Sequence, residues 1–128
     1  RYHELQWATS QRAYAQCHFR SKMATHFHKD ENYFYITERL KKIIQFKRHD
    51  LVQEPITARY DLIFCRNVMI YFDARLKEQV LKRLYQALED DGYLIIGYYD
   101  MLPDVARQWF RLHCAKQKIY QKIQNVKF

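Results

Sequence analysis

The alternation of apolar and polar positions singles out one stretch, Tyr60 to Phe72 (YDLIFCRNVMIYF), around which the rest of the chain is arranged. Leu62, Ile63, Phe64 and Cys65 form an unbroken apolar run, too short for a helix and suited to a strand buried on both faces of a parallel sheet. The run stops abruptly at Arg66 and Asn67, a fixed charge and an amide. Asp73 is a good N-cap for a helix predicted over Ala74–Leu88. Within it, Leu76, Val80, Leu81, Leu84, Ala87 and Leu88 recur at helical spacing and make one apolar face, with Lys77, Lys82, Arg83 and Gln86 opposite. Asp90–Asp91–Gly92 reads as a turn and Tyr93–Gly97 (YLIIG) as a second buried strand. Strand, helix and strand in this order predict a parallel pair with a right-handed crossover.

The flanking sequence follows the same logic. Leu5–Thr9 reads as a short strand, with Ser10 as the N-cap of a helix over Gln11–Ser21. His26–His28 and Tyr33–Ile36 flank the polar Lys29–Asn32, the pattern of a β-hairpin. Thr37 precedes a short helix reaching Ile43. Ile44–His49 alternates as a strand would and ends at Asp50 and Leu51; Pro55 punctuates the loop that follows. Beyond Pro103, Val105–Gln108 suits a short helix, and Trp109–Cys114 with Lys118–Lys122 a closing antiparallel hairpin. With no internal repeat, low-complexity segment or linker, residues 1–128 read as a single domain carrying a small β-subdomain at residues 24–37.

Composition adds exclusions. At 48% hydrophobic and 16% aromatic residues, the 128-residue chain is long and apolar enough to build a core. No apolar stretch is long enough to cross a bilayer, and RYHELQWATS is not a signal peptide. The chain does not begin with methionine, as expected of a fragment or a trimmed chain. Cys17, Cys65 and Cys114 are odd in number and widely spaced, which points to reduced thiols and a cytoplasmic location. Lys and Arg outnumber Asp and Glu by 22 to 14, so the surface attracts acidic partners. Charge and aromatics are the only signals for nucleic acid, and no recognition motif accompanies them. His26 and His28 share a strand face, but no third ligand stands at metal-binding spacing. Gly92 and Gly97 are the only glycines, and neither belongs to a phosphate-binding loop.

In open α/β sheets ligands sit beyond the carboxyl ends of the strands, so Arg66 and Asn67 are candidate cofactor-binding residues. The residues are specific enough to go further. YDLIFCRNVMIYFD, a helix and then DGYLIIG resemble the CheR-type chemotaxis receptor methyltransferases, which use S-adenosylmethionine to esterify glutamate side chains of receptors. LQWATSQRAYAQC is similar to that family's second strand and helix, HFHKDENYFYITERLKKIIQFKRHDL to its β-subdomain and third strand, and IYQK to its last strand. The resemblance implies an α/β fold: part of a Rossmann-like class I S-adenosylmethionine methyltransferase sheet with a small antiparallel β-subdomain. By the same resemblance Tyr71 is the active-site tyrosine. Asp50 and Leu51 frame the adenine, and Ser10 occupies the position of the acid that holds the ribose hydroxyls, although an N-cap suits a serine better. Arg66 and Asn67 face the cofactor, or in the blander reading cap the next helix. Cys65 reads as core.

The departures matter as much. The family's helical N-terminal domain, first strand and glycine/acid loop have no counterpart in these residues, and its serine–glutamate after the fifth strand is replaced by Tyr98–Tyr99–Asp100. The implied partner is a methyl-accepting chemotaxis receptor, met through an acidic helical region, with no nucleic acid and no membrane insertion. Lys29, Arg39, Lys41, Lys42, Lys47 and Arg48 are candidate docking charges. The chain alone is expected to be weak or inactive as an enzyme, because the absent strand leaves a gap in the sheet. The alternative is a non-catalytic fragment or descendant that docks acidic receptor helices.

Overall fold

The computed structural model describes Tyr2–His3, residues 23–31 and residues 33–128. Ser10, the strand predicted over Leu5–Thr9 and the helix predicted over Gln11–Ser21 lie outside the described residues. The chain forms two compact units, residues 1–48 and 49–128.

The first unit holds the predicted hairpin. Strands β2 (Phe27–Asp30) and β3 (Tyr33–Ile36) pair antiparallel, with Lys29 opposite Phe34. A two-residue strand β1 (Tyr2–His3), not anticipated from the sequence, adds to the other side of β3 and gives the order β1-β3-β2. The aromatic positions explain why this short ribbon persists. His28 stacks on Tyr35 across the strands at 5.5 Å, and Lys29 Nζ sits 5.5 Å from the Phe34 ring centroid. The predicted helix after Thr37 is one turn, α1 (Glu38–Lys41), closed by a Lys41–Glu38 ion pair at 2.6 Å. The strand predicted over Ile44–His49 is absent: these residues are exposed and without regular structure. Alternation assigns side chains to faces, but a strand also needs a neighbour for its N–H and C=O groups, and among the described residues none pairs here.

The second unit contains a four-stranded mixed sheet in the order β4-β5-β7-β6. Strand β4 (Tyr60–Cys65) runs parallel to β5 (Leu88–Ile96), and β6 (Phe110–Cys114) and β7 (Ile119–Lys122) close it as the predicted antiparallel hairpin. The helix between the parallel strands, α2 (Ala74–Ala87), begins as expected, with the Asp73 carboxylate accepting from Leu76 N at 2.8 Å. Its Val80, Leu81, Leu84 and Ala87 are buried and belong to a core that includes Leu88, Leu94, Ile96, Met69, Leu102, Trp109 and Phe110. Each large aliphatic removed from water there contributes about 1.5–3 kcal/mol.

Three expectations are corrected. First, β4 is not buried on both faces. Ile63 and Cys65 face the core, whereas Leu62 and Phe64 alternate to the opposite side and Phe64 is 64% exposed. Among the described residues β4 is an edge strand of this sheet, and α2 covers one of its faces. Second, Asp90–Asp91–Gly92 does not separate helix from strand. Leu88 already pairs with Tyr60, and the polar residues are absorbed as a bulge before Leu62 meets Tyr93. The buried Lys122 braces that bulge, its ammonium donating to Leu88 O at 2.7 Å. Third, Arg83 is not a solvated helix residue: its guanidinium donates to the carbonyls of Leu51 and Val52.

Candidate active site

The site is built where β4 ends. After Cys65 the chain leaves the sheet at Arg66, turns at Asn67 and continues into a 3-10 turn, Met69–Tyr71. Met69 is fully buried and anchors this turn, leaving Arg66, Asn67 and Tyr71 exposed above the strand end. Asn67 adopts φ 59°, the left-handed region that asparagine tolerates better than most residues.

The neighbouring strand supplies what holds it. The chain reverses after Ile96 through Gly97, and Asp100 N donates back to Gly97 O at 3.1 Å. This places the Asp100 carboxylate inside the turn, where Oδ2 accepts from Gly97 N and from Asn67 N, both at 2.8 Å. Asp100 is 1% exposed, and among the described residues no donor reaches Oδ1. Gly97 is required for space. A Cβ there would lie 2.2 Å from Asn67 Oδ1, 2.6 Å from Asp100 Oδ2 and 2.7 Å from Asn67 N. One carboxylate therefore ties the ends of β4 and β5 together, and the missing side chain of Gly97 is the recess in which the Asn67 amide lies. Sequence reasoning saw Tyr98–Tyr99–Asp100 as a departure and missed the clamp. The available signal was an acid three residues after a glycine at a strand end, a spacing that lets the carboxylate fold back on the turn.

Asp50 and Leu51 belong to a separate feature of the same unit. Asp50 Oδ1 accepts from Val52 N at 2.8 Å and Gln53 N at 2.9 Å, making a tight turn, and Arg83 on α2 fastens the next two carbonyls. The N–H groups of Gln53 and Val52 hold the Asp50 carboxyl below its usual range. Leu51 is half-buried and packs on the core. Cys65 is core, as expected. Burial, and then the negative charge of Asp100, push its thiol up to about 11, so it is no nucleophile at neutral pH. No cluster of three metal-ligating side chains occurs among the described residues.

Residues 9–119 match the family described as CheR methyltransferase, SAM binding domain. The chain belongs to this family. S-adenosylmethionine is accordingly the methyl donor that the domain binds. The exposed Asn67 is held over the carboxyl end of the sheet, where open α/β sheets bind their ligands. Among curated relatives, the chemotaxis protein methyltransferase of Borreliella burgdorferi is 41% identical over 71 residues, covering 54% of this chain and 25% of that protein. That of Vibrio anguillarum is 30% identical over 87 residues, 67% of this chain and 32% of the relative. An uncharacterized 104.1 kDa protein of Rhodobacter capsulatus is 33% identical over 90 residues, 70% of this chain and 9% of that one. The matches thus span at most about a third of these relatives.

Proposed function

We propose that this chain is the cofactor-binding portion of a protein-glutamate O-methyltransferase acting on chemotaxis receptors in the cytoplasm. The observation that carries the reading is the β4 edge, where the residues of the family signature, Arg66, Asn67 and Tyr71, stand exposed around a turn fastened by Asp100. In this proposal Asn67 and Arg66 meet the cofactor, with Asp50 and Leu51 at its adenine; the ribose role of Ser10, outside the described residues, rests on the family resemblance alone. Asp50 keeps its second carboxylate oxygen for that contact, since Oδ1 serves the turn. Tyr71, 81% exposed, packs beside the reacting groups and orients the receptor glutamate.

S-adenosylmethionine supplies, when bound, a methyl group already activated by a sulfonium. The glutamate carboxylate is ionised at neutral pH and is itself the nucleophile, so the chain need not supply a base. Its contribution is to align the two reactants and exclude water, which is worth several kcal/mol, with a limit of roughly 7–11 for ideal alignment. An acidic helical region of a receptor is the proposed partner, met by Arg39, Lys42, Lys47 and Arg48, all exposed, together with Lys29 and Lys41. Because the matched stretch spans so little of the relatives, slow or absent turnover by these residues alone is the expected outcome.

Calorimetric titration with S-adenosylhomocysteine tests the cofactor reading. Saturable heat that persists but is weakened in Asn67→Gly supports it. A folded sample that gives no heat overturns it and leaves docking of acidic helices without catalysis as the function to pursue.

A further inference from the structure

We propose that Asp100 is a positioning residue for Asn67: its buried carboxylate fixes the left-handed turn that points the Asn67 amide toward the cofactor. The inference rests on the cofactor reading above. Three observations carry it. The carboxylate spends one oxygen on two backbone N–H groups from strand ends that are far apart in sequence. The Asn67 backbone is held at φ 59°, a conformation an asparagine leaves readily once its N–H is released. A Gly97 Cβ would stand 2.2 Å from the Asn67 amide oxygen and 2.6 Å from Asp100 Oδ2, so both side chains border the one space that the glycine leaves open.

A fold that only needed to close this turn could do so with a neutral acceptor. A carboxylate strengthens both N–H bonds roughly twofold over a neutral oxygen, at the cost of burying a charge whose second oxygen finds no donor among the described residues. That cost is reasonable where the orientation of one exposed side chain matters. Asp100 touches neither reactant in this proposal and acts entirely through Asn67.

The test uses the full chain and two readouts. Asn67→Gly removes the amide but keeps a residue that adopts positive φ freely. In a double-mutant cycle for S-adenosylhomocysteine affinity, Asp100→Ala is expected to weaken binding roughly tenfold in the wild-type background, as loss of a charge-assisted bond would, and to have little further effect in Asn67→Gly. Asp100→Asn, whose amide oxygen can still accept from both N–H groups but without the charge, gives an affinity between those of wild type and Asp100→Ala. Equal losses in both backgrounds, or no loss in either, overturn the proposal. The second readout needs no ligand. By NMR, the Asn67 backbone amide is protected from exchange in wild type and Asp100→Asn and exposed in Asp100→Ala, with a changed φ-dependent coupling. If wild type binds no cofactor, the functional reading fails, and this amide signal still decides whether Asp100 holds Asn67. Protection that persists in a folded Asp100→Ala overturns the proposal by itself.

Discussion

Replacing Gly97 with alanine is the sharpest single perturbation of this site. No described glycine has a positive φ, so the backbone itself accepts an alanine at this position, and any effect must come from lack of space. The added Cβ would stand 2.2 Å from Asn67 Oδ1, 2.6 Å from Asp100 Oδ2 and 2.7 Å from Asn67 N, all shorter than real contacts allow. A rotamer change could relieve the first. The third is backbone, so the Asn67 turn must move away from β5, and one or both N–H bonds to Asp100 open. Inserting a methyl group into a filled space costs about 1–3 kcal/mol. Losing a bond to a buried carboxylate costs about 1.5–3 kcal/mol more. The expected destabilisation is therefore about 2.5–6 kcal/mol, a large fraction of the roughly 5–15 kcal/mol typical of a domain. Urea denaturation followed by circular dichroism gives the value, and exchange of the Asn67 amide shows where the change occurs. A Gly97→Ala chain with an unchanged slope and a stability within about 0.5 kcal/mol of wild type would refute the packing argument, since that is the range of ordinary surface substitutions.

Further expectations follow from the same contacts. Asp73→Ala removes the acceptor for Leu76 N and should cost about 1 kcal/mol by denaturation, without altering cofactor affinity. Arg83→Met should release the carbonyls of Leu51 and Val52, raising amide exchange across residues 50–54 while α2 stays intact; unchanged exchange there would mean that the Asp50 turn stands without Arg83. Asp50 is held below its ordinary value of 3.8, so the stability it lends its turn is complete above that pH and is lost as pH falls through the lowered pKa. The Val52 and Gln53 amide shifts should report that loss on acidification. Cys65, raised from 9.0 to about 11, favours the fold fully below pH 9 and loses that contribution as pH climbs from about 9 to about 11. At pH 8 a thiol reagent should leave it unmodified until denaturant is added.

Local chemistry made a good part of this protein legible before its structure. The long helix, its Asp73 cap and its buried face follow from spacing alone, because a helix satisfies its own backbone and needs a neighbour only for its apolar stripe. The hairpins at Phe27–Ile36 and Phe110–Lys122 were readable because their partner strands lie within a few residues of each other. The polar pair at the end of β4 was visible as a break in an apolar run. Tertiary structure decided what depends on distant partners. Ile44–His49 has the alternation of a strand and, among the described residues, no strand to pair with. Leu62 and Phe64 look as buried as Ile63 and Cys65, and among the described residues the placement of α2 on one face separates them. The clamp at the site joins Asn67 to Asp100 across 33 residues. An acid after a strand end has no periodicity to betray it, and its role exists only when two parallel strands bring their carboxyl ends side by side.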